Sequence, residues 1–101
     1  MKQENIILTK TYNFGLRILK LYLHLKKKKV VSGLCSQLLS SGTSIGANVE
    51  EATGGASRKD FINKLQIAYK EARETHYWLR LPGDSELLEK KLTDSFIKDC
   101  E

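Results

Sequence analysis

Three stretches of the chain hold residue types that could do chemistry. Gly42-Thr43-Ser44-Ile45-Gly46 matches Gly-x-Ser-x-Gly, the elbow in which a strained strand-to-helix turn exposes a nucleophilic serine. An elbow also needs an acid and then a histidine downstream, within a sheet that holds the turn. Here His76 is the one histidine downstream, no strand pattern precedes the motif, and 101 residues are too few for the surrounding sheet. The motif reads instead as small residues that let helices approach closely. No catalytic serine is expected, and the chain reads as no enzyme.

Glu50, Glu51, Glu71, Glu74 and His76 invite a carboxylate metal site. Ferritin-like di-metal bundles need Glu-x-x-His on two helices and single glutamates on two others. This chain has Glu71-x-x-Glu74, with His76 two residues on and round the helix from Glu74. Neither a metal nor another cofactor is expected. Glu51, Glu71 and Glu74 read as a polar layer at a helix or subunit contact, paired with Ser, Thr, Asn or Arg, because buried polar groups must be hydrogen-bonded. Gly54-Gly55-Ala56-Ser57-Arg58-Lys59 has the ingredients of a phosphate loop without its spacing or preceding strand. It reads as a loop with a solvated charge pair, or as a helix N-terminus where Arg58 and Lys59 hold one phosphate.

The elements that must position these residues are helical. Ile7, Thr11, Phe14, Ile18, Leu21 and Leu25 step by four and three, one helix face. Leu8, Tyr12, Leu19 and Tyr22 form a second apolar row about 100° round, widened by Leu16 and Leu23. A surface helix needs an apolar stripe of only about 100°, so the excess points to burial against another subunit. Lys26 to Lys29 close this helix, where cations suit the negative end of the dipole. In the second segment Val31, Cys35, Leu38, Gly42, Ile45, Val49 and Ala52 keep the rhythm, with Gln37, Ser41, Ser44, Asn48 and Glu51 on a polar row beside it. Propensity alone predicts a kink or break at Ser40 to Ser44, and Gly54-Gly55 ends the segment. Ser57 and Asp60 form a capping box for a third helix with Phe61, Leu65, Ala68, Ala72, Thr75 and Leu79 inward. Pro82-Gly83 forces a turn, and Asp84 or Ser85 caps a fourth helix carrying Leu88, Leu92, Phe96 and Cys100. Short loops favour antiparallel neighbours, hence an all-α, up-down-up-down four-helix bundle in a single domain over residues 1–101.

With one proline, 41 % hydrophobic and 29 % charged residues, the composition is that of a soluble globular protein. No signal peptide or membrane-spanning run is visible, and Cys35 and Cys100 read as reduced thiols. A cytoplasmic location is expected. The net charge of +5 is unevenly spread: residues 1–29 carry eight Lys or Arg against Glu4 alone, while residues 82–101 carry three against six acids. Such asymmetry means self-association or a polyanion partner. Lys10, Asn13, Arg17, Lys20, His24 and Lys27 fall on one row of the first helix. Either it is a solvated face, or it neutralises phosphates without reading bases.

The longest diagnostic stretch runs from Ser40 to Leu79. Ala47-Asn48-x-x-Glu51-Ala52, Ser57-Arg58-Lys59-Asp60-Phe61 and Lys70-Glu71-Ala72-x-Glu74-Thr75-x-Tyr77-Trp78-Leu79 follow in fixed order. That order resembles the bacterial four-helix-bundle proteins first met as products of intervening sequences in 23S ribosomal RNA genes. Some members are labelled ribosomal proteins, and a related accessory protein serves diversity-generating retroelements. The resemblance implies one long second helix and a ring-like pentamer with a central channel. Against the family pattern the turn at Pro82 and the last helix are short, either trimmed or minimal. Ser44, Asn48, Glu51, Glu71, Glu74 and Trp78 are then expected to be scaffold residues at helix and subunit contacts. Lys10, Arg17, Lys20 and Lys27, with Arg58 and Lys59, are the expected nucleic-acid contacts, structured RNA ahead of DNA. The competing expectation is a structural module whose charges keep the assembly soluble or dock an acidic protein.

Overall fold

The computed structural model describes residues 2–30, 32–54, 57–84 and 90–100, with side chains from residue 6 to residue 99 within them. Among the described residues are four α-helices and no strand: α1 Lys2–Lys27, α2 Ser32–Thr53, α3 Arg58–Asp84 and α4 Lys90–Cys100. Each helix packs against the next along the chain. The molecule measures 43 × 23 × 19 Å. A helix of 26 residues is about 39 Å long at its usual rise, so the long helices must lie along the long axis.

The core joins Phe14, Ile18, Leu21 and Leu25 of α1 to Cys35, Leu38 and Ile45 of α2, Leu79 of α3 and Phe96 of α4. Period alone indicates most of these, but the first turns of α1 depart from it. Ile7 is exposed, because the core cluster begins on α1 only at Phe14. Tyr22, placed by periodicity on the second apolar row, packs against the core cluster. On α3 the buried residues are Ala68, Thr75, Leu79 and Pro82, with Ala72 and Trp78 packed on the core from its edge.

α1 stops through its backbone. The Val30 N–H donates to the Leu25 carbonyl at 3.1 Å and the Lys29 N–H to that of Lys26 at 3.0 Å, the paired bonds of a Schellman motif. Lys29 takes the left-handed φ of 61° that glycine usually fills there, at a cost of about 1 kcal/mol. Val30 then returns to the core cluster beside Leu25.

α2 is one unbroken helix through Ser40 to Ser44. The local cost of small polar residues is met in two ways. Their hydroxyls donate to carbonyls four residues back, Ser41 to Gln37 at 2.9 Å, Thr43 to Leu39 at 2.7 Å and Ser44 to Ser40 at 2.6 Å. Their size also lets α1 come close. A Cβ on Gly42 would lie 2.7 Å from Ile18 Cγ2, and one on Gly46 would lie 3.2 Å from the Thr11 carbonyl oxygen. Cys35 is buried in the same layer, its thiol donating to the Val30 carbonyl at 3.8 Å. Val31 and Gly55, and the side chain of Cys100, lie outside the described residues.

Ser57 opens α3 as expected, its Oγ accepting the Asp60 N–H at 3.2 Å. The expected turn at Pro82-Gly83 does not occur there. α3 runs through both residues to Asp84, which is its last residue and not a cap of the next helix. Pro82 sits only two residues from the helix end, and its ring is buried, so the lost N–H is offset by apolar contact. Gly83 is set by α4, since a Cβ there would lie 2.5 Å from Thr93 Cγ2. Ser85 and Leu88 fall outside the described residues.

Two glycines of similar helical setting should respond oppositely to alanine. Gly15 has nothing within 4 Å of a built Cβ, so Gly15→Ala should stabilise the folded chain by up to about 1 kcal/mol through helix propensity. Gly42→Ala drives its Cβ into Ile18 and should cost about 1–3 kcal/mol despite the same propensity gain. Urea unfolding of the two variants checks this; equal effects would remove the close-contact explanation of α2.

Candidate nucleic-acid interface

α1 presents three faces. Its core row is covered by α2, α3 and α4. A second row, Tyr12, Leu16, Leu19 and Leu23, is exposed, with Tyr12 61 % and Leu19 42 % accessible. Tyr12, Leu16 and Leu19, with Gly15, Gly46 and Ala47, line an apolar groove of about 360 Å³ between α1 and α2. The third face is cationic. Lys10, Lys20 and Lys27 are exposed and make no ion pair among the described residues.

Arg17 stands apart from those lysines. Its guanidinium pairs with Asp99 and donates to Ser95 Oγ at 3.1 Å. The same group lies 4.0 Å from the Phe96 ring centroid, and Phe14 meets that ring edge-on at 6.4 Å. Arg17 therefore clasps α4 to α1, and its charge is largely answered by Asp99. Lys20 and His24 border the adjoining groove, with Leu92 and Phe96 on its other wall. Arg58 and Lys59 are exposed in the first turn of α3, at the positive end of the helix dipole, which favours an anion.

Of the six expected scaffold residues, Ser44, Asn48 and Glu51 lie on α2 and Glu71, Glu74 and Trp78 on α3. Ser44 and Asn48 bond within α2, Asn48 Nδ2 donating to the Ser44 carbonyl at 2.8 Å. Ser44 thus lies mid-helix, without the exposed turn an elbow requires. Glu51 crosses to α3, meeting Lys64 at 2.8 Å. Both groups are well exposed, so the pair contributes little. Glu74 accepts from Trp78 Nε1 at 3.4 Å, one turn apart on α3. Burial pushes the Glu71 carboxyl above its ordinary range, Glu74 adds to the rise and Lys70 opposes it. Among the described residues no three His, Cys, Asp or Glu side chains converge on a point that could hold a metal ion, and no helix is long and apolar enough to cross a membrane.

The pattern of the chain and this architecture agree with one family. The model of the 23S rRNA-intervening sequence proteins matches residues 3–101. The chain belongs to that family. A crystal structure at 1.70 Å of a protein of unknown function from the S23 ribosomal protein family, from Bacteroides thetaiotaomicron VPI-5482, is similar to it. The two share 44 % identity and a TM-score of 0.92, over 99 % of this chain and 88 % of that one. Comparison with curated proteins finds no match.

Within this 23S rRNA-intervening sequence family member, one exposed surface was not anticipated from the sequence. Tyr69, Lys70, Arg73, Tyr77 and Arg80 project together from α3, with Glu74 at the edge. A signal for it existed: Tyr69, Arg73, Tyr77 and Arg80 recur at intervals of four, four and three, the period of one helix face. The apolar stripe of the same helix is the stronger pattern and masks it.

Arg17→Ala should cost about 1 kcal/mol or more in urea unfolding, exceeding Asp99→Ala, because it removes the Phe96 stacking as well as a part-exposed ion pair. Equal losses would reduce the clasp to its ion pair. Glu71, raised in the folded state, holds its proton more tightly there than in the unfolded chain. Its contribution to stability is therefore most favourable in acid and is lost as pH rises through the carboxylate range towards neutrality. Glu71→Gln should gain in urea midpoint over the parent between mildly acid and neutral pH. A constant difference across that range would show that Glu71 titrates alike in both states.

Proposed function

We propose that this protein is a non-enzymatic, homo-oligomeric four-helix bundle that binds structured RNA through a basic surface with little sequence preference. The observation that carries the reading is the row of exposed lysines on α1, Lys10, Lys20 and Lys27, unpaired among the described residues. Phosphates are what such a row neutralises, and phosphate contacts position a nucleic acid without reading its bases. Arg58 and Lys59 at the start of α3 add one further phosphate contact. Arg17 belongs to the α4 clasp and serves binding only by holding α1 in place.

An up-down-up-down topology fits this reading. Gly42 meets Ile18 and Gly46 meets Thr11, so α1 numbering falls as α2 numbering rises, and the connections between helices are short. The assembly we propose is a ring-like pentamer in the cytoplasm, closed through the exposed row Tyr12, Leu16, Leu19 and Leu23. Repeating three lysines around an axis would make a modest charge per subunit into a strong polyanion site. That same apolar row favours a second reading, a protein-interaction module in which the lysines serve solubility or an acidic protein partner.

The test combines mass and binding. Sedimentation equilibrium at micromolar concentration should give about five times the 11.5 kDa chain mass, and Leu19→Glu should dissociate it. A single monomeric mass for the parent protein would overturn the assembly. Titration against structured RNA and duplex DNA over a salt series should show a log–log slope of about −0.9 for each duplex phosphate neutralised. Lys10→Glu/Lys20→Glu should therefore flatten the duplex slope by about 1.8 per subunit engaged. No binding at low salt, or a slope indifferent to the double reversal, leaves the interaction-module reading in its place.

A further inference from the structure

The exposed face of α3 combines rings and cations. Tyr69 is 67 % and Tyr77 47 % accessible, unusual exposure for two large rings on one helix. Counting about 100° per residue, Tyr69, Arg73, Tyr77 and Arg80 fall within about 80° of arc, and Lys59 lies on the same line near the helix start. Arg80 already leans over the Tyr77 ring, its guanidinium carbon 5.9 Å from the centroid. Lys70, Arg73 and Arg80 make no ion pair among the described residues. Two acids lie by this face: Glu74 at its edge, which accepts from the Trp78 indole, and Asp84, exposed at the helix end. A solvated charged face has no need of two exposed rings, and a greasy protein contact would not interleave them with three cations. Flat apolar rings alternating with guanidinium groups match one ligand chemistry, a chain of unpaired bases linked by phosphates. The tyrosines stand about 12 Å apart along the axis, room for three or four stacked nucleotides at about 3.4 Å each.

We infer that the α3 face bearing Tyr69, Arg73, Tyr77 and Arg80 binds single-stranded nucleic acid, bases stacking on the rings and phosphates meeting the cations. This rests on the nucleic-acid reading above for its ligand class, but not on the α1 lysines. It assigns unpaired segments to α3 and leaves helical segments to α1. Every base offers a flat face, so this site too is tolerant of sequence.

The full-length protein would be titrated with a fluorescein-labelled oligo-uridine and, separately, with a labelled RNA hairpin of closed stem and minimal loop. Tyr69→Ala/Tyr77→Ala should weaken oligo-uridine binding at least about twentyfold, since each stacked base contributes a factor of roughly 5 to 150. The hairpin should change less than about twofold. Tyr69→Phe/Tyr77→Phe keeps the rings and should retain oligo-uridine binding. Trp78 is the sole tryptophan and its ring lies 5.1 Å from that of Tyr77, so oligo-uridine should alter its emission in the parent and the phenylalanine variant. Both surface variants should keep the parent's circular dichroism and sedimentation mass. Equal losses on both ligands, undiminished oligo-uridine binding by the alanine variant, or absence of oligo-uridine binding by the parent would each overturn the inference. So would a fall in sedimentation mass on Tyr69→Ala/Tyr77→Ala, which would make this face a subunit contact. Hairpin binding that needs Lys10 and Lys20 would survive such a failure. Conversely, tyrosine-dependent oligo-uridine binding that persists in Lys10→Glu/Lys20→Glu would uphold α3 while removing α1.

Discussion

The near-contact of α2 with the side chain of Ile18 is the constraint from which the remaining arrangement follows. With no Cβ at Gly42, the α2 backbone presses onto Ile18, which becomes fully buried. Gly46, one turn on, lies closely against the Thr11 carbonyl. Each mid-helix glycine costs up to about 1 kcal/mol relative to alanine. Full burial of an isoleucine contributes about 1.5–3 kcal/mol, so the close approach is favourable on balance. The run of serines and threonines around Gly42 then becomes intelligible. Small side chains keep the interface thin, and hydroxyls that donate to their own helix ask nothing of the partner. Because α2 is narrow here, it covers only one face of α1, leaving an apolar row and a basic row outside.

α4 has a different kind of support. Eleven residues are too few for a helix to hold itself in water, so its position depends on what grips it. Thr93 fits over Gly83, Phe96 enters the core, and Arg17 closes over the Phe96 ring while pairing with Asp99. On a helix projection Arg17 lies about 140° from Tyr12 by residue count, with Lys10 about 20° nearer the core row and Lys20 and Lys27 about 60–80° further from it. From there its long side chain reaches α4, whereas Lys20 and Lys27 sit further round, Lys10 lies about two turns earlier along the axis, and all three stay in solvent. The position on the helix, more than the residue type, separates the clasp from the candidate phosphate contacts.

How far the sequence discloses this depends on the range of the deciding interaction. Ile18, Leu21, Leu25, Leu38, Ile45 and Leu79 are legible because burial imposes the helical period directly on the chain. Ser57 is legible because its partner is three residues away. Ser40 to Ser44 reads as a break on propensity, since the compensating partner, Ile18, lies on another helix. Pro82 reads as a stop because nothing local reveals that its ring is buried near the helix end. Asp99 is 82 residues from Arg17, and no local pattern could announce that pair, so Arg17 reads as one more member of the basic row. The α3 face was hidden differently. The six cations over residues 57–81 are interspersed with three acids, and only the angular order separates Tyr69, Arg73, Tyr77 and Arg80 from Glu71.

The apolar and basic rows of α1 are linked by geometry. Tyr12, Leu16, Leu19 and Leu23 centre about 100° from the line through Lys20, Lys27 and Lys10, and the core row lies about 200° away. A monomeric protein seldom leaves so continuous an apolar row in water. Whatever covers that row, the neighbouring lysines must border the new contact, because both rows belong to one rigid helix. In a closed ring one face of each chain meets a different face of the next, so each interface has one chain's α1 lysines at its rim, and closure sets these lysine rows side by side around the axis. Their repulsion then opposes association at low salt unless an anion bridges them. On the proposed reading, assembly and phosphate binding are therefore not separate properties. A polyanion that relieves the repulsion must bind the assembled form better than the free chain, and by linkage it must favour assembly to the same extent.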